Sequence, residues 1–271
     1  MTGSELRAAL HSGRRTYGTL VASTSPRWVP LLAAMPLDFV FIDTEHITID
    51  REKLSWMCHA YGYAGLAPVV RIPSPDPYAA CQAIDGGACG LVAPYIETAA
   101  QVRALAGAVK HRPLKGAKLD AALGVQTPFE PALNAYVATH NRANSLIVNI
   151  ESGPGIAALD EILAVEGLDA VLIGPHDLSC SLGQPERYDT PEFDAAVETI
   201  FRKARAAGVG AGIHSWMSAE REAAWCAAGA NFIIHSSDII ATRDTLSTEI
   251  NALRRRMGDM KPSRDSGAAT V

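Results

Sequence analysis

Short apolar runs recur along the chain, and each one stops at a polar residue, a glycine or a proline. Continuous apolar runs of this length are typical of strands that are covered on both faces, as in a parallel sheet. The pattern predicts eight strands, at residues 16–21, 38–43, 67–71, 90–93, 146–150, 170–173, 209–214 and 231–235.

Between the strands, apolar residues recur at helical spacing, with start and stop signals at several ends. Proline follows Ser25 in the first turn of one helix, and Gly229 follows the last residue of another. Helices are predicted at residues 4–11, 25–35, 50–63, 75–85, 98–109, 132–141, 155–165, 191–207, 218–228 and 239–257. Residues 111–131 show only a weak period and are predicted to form an excursion, either a lid or a subunit contact.

Eight strands alternating with helices over roughly 250 residues is the count of a (β/α)8 TIM barrel. We therefore predict a single α/β domain over residues 1–258, with an added N-terminal helix and a closing C-terminal helix. The polar residues 259–271 are expected to form a disordered tail. An open doubly wound sheet is the alternative, but no GxGxxG motif opens a helix after a strand, so a dinucleotide site lacks support.

The composition excludes several kinds of protein. The 271 residues are 48% hydrophobic, and the net charge of −5 comes from mixed signs with one basic cluster, Arg254-Arg255-Arg256. Nucleic-acid binding therefore has no electrostatic footprint. The five cysteines are scattered without a CxxC pair, which suits reduced thiols in the cytoplasm. No apolar run is long enough to span a bilayer, so no membrane association is expected.

Ionisable residues crowd the predicted carboxyl ends of the strands, which share one rim of a barrel. They are Asp43-Thr44-Glu45-His46, Arg71, Glu151, Asp177, His214 and His235. Glu151 and Asp177 follow two strands of one strand–helix–strand unit, so those strands are expected to be parallel and adjacent. Two neighbouring carboxylates suit Mg²⁺ or Mn²⁺, although helix caps and turns use the same residue types.

Five segments, in order, resemble the HpcH/HpaI aldolase/citrate lyase family, specifically its short class II pyruvate aldolases. The matching segments cover roughly residues 15–255: Asp38-Phe39…Ile42-Asp43-Thr44-Glu45-His46, Val70-Arg71-Ile72-Pro73, Ile84-Asp85-Gly86-Gly87-Ala88-Cys89-Gly90, Asn149-Ile150-Glu151, and Val165-Glu166-Gly167-Leu168-Asp169 with Ile173-Gly174-Pro175-His176-Asp177-Leu178-Ser179. The last segment, placed after a strand ending in Glu151, is the most specific of them.

The resemblance implies a metal-dependent barrel aldolase that reversibly cleaves 4-hydroxy-2-oxo acids to pyruvate and an aldehyde. The cofactor would be Mg²⁺, Mn²⁺ or Co²⁺, acting as a Lewis acid that stabilises the pyruvate enolate. The partners would be small oxo-acid and aldehyde substrates. The assembly would be a homo-oligomer, a hexamer built from dimers or trimers.

The resemblance also assigns roles to individual residues. Glu151 and Asp177 would hold the metal, and Arg71 would donate to the enolate oxygen. His46 would move the proton on the hydroxyl oxygen, oriented by Asp43 or by Asp85, the latter from a neighbouring subunit. The remaining substrate contacts would come from backbone amides and side chains of Glu45, Asn149, Gly174, Pro175, His176 and Asp177.

Two residues depart from the family pattern. Asn149 stands where glutamine is expected, which shortens the side chain by one methylene, and His176 stands where a small residue is usual. A histidine near the metal would favour softer ions such as Co²⁺ or Zn²⁺. His214 and His235 are further candidates for this pocket, although a structural role is the default for each. These departures concern the aldehyde more than the enolate chemistry.

Other functions stay open from the sequence. The same enolate site could serve oxaloacetate decarboxylation, a macrophomate-synthase-like carbon–carbon bond formation, or an acyl-CoA lyase. A barrel that has lost turnover and only binds is a third class, although it would not need His46, Arg71, Glu151 and Asp177 together. A Schiff-base aldolase is disfavoured because no lysine ends a predicted strand.

Overall fold

The computed structural model describes residues 1–124 and 129–259. Eight parallel strands close into a barrel in chain order, β1 to β8, so the predicted (β/α)8 fold is confirmed. The strands are Thr16–Leu20, Phe39–Asp43, Ala67–Arg71, Gly90–Ala93, Ser145–Asn149, Ala170–Ile173, Gly210–Ser215 and Phe232–Ser237. The expected tail lies outside the described residues, apart from Asp259.

Thirteen helices accompany the strands in the described part of the chain. They are α1 Gly3–Ser12, α2 Trp28–Ala33, α3 Arg51–Tyr63, α4 Pro77–Asp85, α5 Ala99–Lys110, α6 Gly116–Leu123, α7 Pro131–His140, α8 Gly153–Ala157, α9 Leu159–Leu163, α10 Pro175–Ser181, α11 Pro191–Ala206, α12 Ala219–Ala227 and α13 Asp238–Met257. None of the helices in residues 1–124 and 129–259 is both long and apolar enough to cross a membrane.

The sequence interpretation missed three features of the helices. Residues 111–131 contain α6 and the first residue of α7, where only an excursion was predicted; residues 125–128 lie outside the described part. The single helix predicted at 155–165 is two short helices that meet at Ala158. The stretch after β6, interpreted as a loop or turn, is the helix α10, which Pro175 starts because its fixed φ and missing N–H suit the first helical position.

Side chains along each strand point alternately to the inside and the outside of the barrel. One set fills the interior, and the other set packs against the helices. Phe39 and Phe232 stack inside the barrel with ring centroids 4.5 Å apart. Gly18 makes room for them, because a Cβ there would lie 2.4 Å from the Phe39 ring. Leu6 and Leu10 of α1 join this inner cluster, so the N-terminal helix closes one end of the barrel.

A charged cluster centred on Asp169 holds α1 at that end. Asp169 Oδ1 accepts from Arg7 Nε at 2.8 Å and lies 2.9 Å from His11 Nε2, while Oδ2 pairs with Lys110 and accepts from the backbone N–H of Leu146. Burial opposes ionisation of Asp169, but its hydrogen bonds and cationic neighbours outweigh burial and lower the pKa to about 2. The carboxylate is therefore ionised at neutral pH.

Candidate active site

A cavity of about 410 Å³ opens at the carboxyl ends of the strands. That is the end of a (β/α)8 barrel where active sites are found. The cavity is lined by His46, Arg71, Gly174, Pro175, His176, Asp177, His214 and Trp216. Seven of these residues, all but Trp216, were named from the sequence as site candidates, and the fold brings them together from β3, β7 and the segments that follow β2 and β6.

Arg71 is held in a fixed orientation by Asp43. The two residues face each other across β2 and β3, and Arg71 donates from Nε to Asp43 Oδ1 at 2.8 Å and from Nη2 to Oδ2 at 2.6 Å. Burial opposes ionisation of both groups. Their mutual hydrogen bonds outweigh it, lowering the pKa of Asp43 and raising that of Arg71. Arg71 thus presents a fixed positive charge beside the cavity.

Glu45 is the carboxylate that stands near both Arg71 and His46. Its Oε2 lies 3.1 Å from Arg71 Nη1 and 3.8 Å from His46 Nε2. Both oxygens of Asp43 are directed to Arg71, and Asp85 is paired with Arg112 beside a different cavity. Within one chain the structure therefore does not place Asp85 beside His46, and it places Asp43 on Arg71.

Glu151 and Asp177 converge over Gly174. A Cβ added to Gly174 would lie 2.7 Å from Glu151 Oε2 and 3.4 Å from Asp177 Oδ2. The predicted adjacency of β5 and β6 is confirmed, since Asn149 pairs in register with Leu172. Burial raises the pKa of Glu151, and the nearby charge of Asp177 raises it further.

These residues fit a divalent cation of the kind that prefers oxygen ligands. Two carboxylates meet at one point, and the buried Asn149 Oδ1 beside them has no hydrogen-bond partner among the described residues. No group of three or more His, Cys, Asp or Glu in residues 1–124 and 129–259 has metal-binding geometry. A cation here would therefore take two protein carboxylates and leave its other positions to water and substrate.

Asn149 and His176, the two departures from the family pattern, both lie at this site. Asn149 Nδ2 donates to Glu151 Oε2 at 2.9 Å, so the shorter side chain still holds the carboxylate. His176 lines the cavity, and its Nδ1 is buried without a hydrogen-bond partner in the described structure. Its Nε2 lies 3.9 Å from the Cys180 sulfur, one helical turn along α10.

The two strand-end histidines have different surroundings. His214 lines the cavity and contacts the carbonyl oxygen of Ser236 through Nε2 at 3.2 Å. His235 is turned away from this cavity, and its Nδ1 lies 2.9 Å from Glu222 Oε1. The Glu222 contact raises the pKa of His235. Of these two candidates, only His214 is a residue of the site cavity.

Tyr95 and Trp216 are residues of the site that the sequence interpretation missed. The backbone N–H of Tyr95 donates to Glu151 Oε1 at 2.9 Å, and its hydroxyl faces Glu45. That contact raises the pKa of Tyr95 to about 12, which keeps the hydroxyl protonated as a donor. Tyr95 has φ of 56°, a left-handed backbone conformation that the sequence does not predict for a tyrosine. Trp216 could have been suspected from its position just after β7.

The fold and the cavity together define a (β/α)8 barrel with a carboxylate pair, an arginine and histidines at the carboxyl ends of its strands. The family model of the HpcH/HpaI aldolase/citrate lyase family matches residues 16–243. The chain belongs to this family, as the motifs indicated.

Individual relatives agree with this assignment. A hydroxypyruvate/pyruvate aldolase of Roseovarius nubinhibens is 33% identical over 243 residues, which cover 88% of this chain and 92% of the relative. A 2-keto-3-deoxy-L-rhamnonate aldolase of Shigella sonnei is 32% identical, with 89% and 90% covered. The crystal structure of an HpcH/HpaI aldolase from Desulfitobacterium hafniense superposes with a TM-score of 0.80 at 25% identity, covering 92% of this chain and 96% of that one.

Proposed function

We propose that this protein is a divalent-metal-dependent aldolase that cleaves 4-hydroxy-2-oxo acids to pyruvate and an aldehyde, and runs the reverse condensation. The observation that carries the proposal is the convergence of Glu151 and Asp177 over Gly174, at the cavity that Gly174, Asp177, Arg71 and His46 line. The names of the aldolase relatives support it, since one acts on pyruvate and another on a 2-keto-3-deoxy acid.

Glu151 and Asp177 would hold the cation. When bound, a divalent cation supplies Lewis-acid stabilisation for the negative charge that develops on an oxo acid. The first-turn backbone N–H groups of α10 would bind the substrate carboxylate, because the first N–H groups of a helix have no partner within the helix. Asn149 Nδ2 keeps Glu151 oriented through their 2.9 Å hydrogen bond.

The protein's own residues account for the proton and charge movements. In the cleavage direction, the 4-hydroxyl proton passes towards His46, the C3–C4 bond breaks, and its electron pair enters the oxo acid as the pyruvate enolate. The aldehyde leaves, and the enolate then takes a proton at C3 to give pyruvate. Arg71 donates to the C2 oxygen, where charge develops, and its clamp by Asp43 means that no reorganisation is needed at that moment.

The test is pyruvate release, followed with lactate dehydrogenase and NADH. A panel of 4-hydroxy-2-oxo acids and oxaloacetate is offered to the protein after EDTA treatment and after adding back Mg²⁺, Mn²⁺ or Co²⁺. The proposal expects release from at least one hydroxy acid that depends on metal and is lost in Asp177→Ala. Decarboxylation of oxaloacetate with no retro-aldol cleavage would replace the aldolase with a decarboxylase that uses the same residues.

A further inference from the structure

His214 and Trp216 line one side of the site cavity, and two further aromatic rings pack against them. The imidazole lies 5.7 Å from the Phe41 ring and 6.1 Å from the Trp216 ring, which meets it edge to face. Tyr188 meets Trp216 edge to face at 6.3 Å. Trp216 thus offers the cavity an apolar surface beside the polar ring of His214, an arrangement that orients a small ligand.

The hydrogen bond to Ser236 defines the tautomer of His214. A carbonyl oxygen only accepts, so Nε2 carries the proton and donates to Ser236 at 3.2 Å. Burial and the positive charge of Arg71 lower the pKa of His214 to about 4, so the ring is neutral at physiological pH. Nδ1 is then a bare acceptor, and the hydrogen bond that the ring makes to the described residues is the one from Nε2.

The carbonyl oxygen that His214 contacts belongs to a residue with unusual backbone geometry, Ser236. Ser236 has φ of 55°, and the pairing of β8 with β1 shifts register between Gly18 and Leu20 beside it. A left-handed conformation is strained for a residue with a side chain and is found preferentially at functional sites. At Ser236 this conformation belongs to the residue whose carbonyl oxygen accepts from His214 Nε2. That contact leaves the Nδ1 lone pair of His214 available.

We propose that His214 determines specificity by accepting a hydrogen bond from a hydroxyl group on the acceptor aldehyde. The site would favour hydroxylated aldehydes over alkyl aldehydes of the same length. A neutral Nδ1 can neither donate to the reacting carbonyl oxygen nor protonate it, so His46 keeps that role and His214 engages another part of the molecule. An alkyl aldehyde would cover Nδ1 and leave it unpaired, which is how a polar site rejects an analogue that lacks the matching group.

This inference rests on the proposed aldolase activity and is tested by the ratio of kcat/KM for glycolaldehyde to that for propanal, with pyruvate as donor. The two aldehydes differ by a hydroxyl in place of a methyl group. Using the same aldehyde stocks for every variant cancels their hydration. Exchange of the pyruvate methyl protons in D2O is followed by NMR on the same preparations, because it reports enolate formation without any aldehyde.

Two substitutions separate the acceptor from the structural contact. His214→Gln can still donate to Ser236 from its amide nitrogen but has no acceptor at the Nδ1 position. His214→Asn can place its amide oxygen near that position but does not reach Ser236. His214→Leu removes both, and His140→Leu, on the exposed end of α7, is the control for loss of a histidine elsewhere.

We expect a wild-type ratio well above one. His214→Gln and His214→Leu should lower it about three- to tenfold, the range for one neutral hydrogen bond, while His214→Asn and His140→Leu should keep it within about twofold. A wild-type ratio of one or less, an unchanged ratio in His214→Gln, or an equal loss in Gln and Asn would overturn the inference. In each case, persisting methyl-proton exchange would leave the aldolase proposal intact, whereas no exchange would refute both.

Discussion

Gly174 is the residue at which the geometry of the proposed metal site is most sensitive. Its backbone has ordinary angles, φ of −86° and ψ of 101°, so glycine is not needed there for its conformation. It is needed for space, since any Cβ would press within 2.7 Å of Glu151 Oε2. The atom that must yield is the end of a side chain, so the consequence falls on the carboxylate and not on the backbone.

We therefore expect Gly174→Ala to fold normally but to bind Mn²⁺ at least about tenfold more weakly, because a displaced ligand loses coordination geometry. Isothermal titration measures the affinity directly, without relying on turnover. Gly62→Ala is the matched control, since a Cβ at Gly62 meets nothing within 4 Å. Equal affinities for the two variants would show that Glu151 is not a ligand in this arrangement.

A second prediction at this scale concerns the clamp on Arg71. Asp43→Asn keeps the shape of the side chain but removes the charge that orients the guanidinium, and kcat/KM for pyruvate release should fall about 10²-fold. Arg71→Lys keeps a cation but cannot donate twice to Asp43. If Asp43→Asn does not fold, Arg71→Lys is the variant to measure, and the same loss of kcat/KM is expected. Activity within about threefold of wild type would mean that Arg71 needs no clamp.

The residues of the site were largely predictable, whereas their pairings were not. Glu151, Asp177, Arg71 and His46 could be placed on one rim because strand ends in a barrel face the same way. Which carboxylate approaches which cation depends on strand register and side-chain rotamers that no sequence pattern encodes. For this reason the sequence did not predict that Asp43 pairs with Arg71 or that Glu45 lies near His46.

At the scale of elements, every predicted strand forms, because buried strands leave continuous apolar runs that are hard to mistake. Short helices were the weak point. The helices α8, α9 and α10 have only five to seven residues each, so the apolar period could neither separate α8 from α9 nor reveal α10. The charged cluster beneath the barrel was also missed, since α1 and Asp169 are far apart in the chain and nothing local connects them.

The attachment of α1 gives a prediction for stability. Asp169→Asn should lower the free energy of unfolding at pH 7 by about 3 kcal/mol or more, because it leaves Arg7, His11 and Lys110 close together without their counter-charge. Urea denaturation followed by circular dichroism measures the change. A loss below about 1 kcal/mol would mean that α1 is held by its apolar contacts alone.

The same cluster predicts a pH dependence with a definite sign. The folded pKa of Asp169 is about 2, below the value of about 3.9 for an unfolded aspartate, so its contribution is present above about pH 4 and lost as pH falls towards 2. The loss should be on the order of 2 kcal/mol in the wild type and absent in Asp169→Asn. The hydrogen bond to Asp169 raises the pKa of His11, so the contribution of His11 is present below about pH 6.5 and lost as pH rises through the folded value.

At the scale of the whole molecule, the outward face of α13 carries a row of exposed apolar side chains, which is typical of an interaction surface. Ile239, Leu246, Ile250, Leu253 and Met257 are spaced by 7, 4, 3 and 4 residues, which places them on one face, and each is 47% exposed or more. Beside the first turns of α13 an apolar groove of about 480 Å³ runs along Trp28, Leu31 and Met35. The homo-oligomer expected from the family resemblance stays a prediction, and we propose that a second copy of α13 covers this groove.

Light scattering after size exclusion should accordingly give a mass that is a multiple of 28.7 kDa. The double substitution Leu246→Glu and Leu253→Glu should reduce it to a smaller assembly, because burying two carboxylates opposes association. Thr248→Glu, on the opposite face of the helix, is the control. A wild-type monomer, or a double variant of unchanged mass, would contradict the proposed contact.

The most direct test of the central claim is exchange of the pyruvate methyl protons in D2O, measured by NMR with EDTA and then with Mg²⁺, Mn²⁺ or Co²⁺ restored. Enolate formation is the step that the proposed metal ligands and Arg71 serve, and exchange reports it whatever the aldehyde is. The account predicts exchange that requires metal and falls at least about 10²-fold in Asp177→Ala. Exchange that persists at full rate in EDTA or in Asp177→Ala, or no exchange with any of the metals, would contradict it.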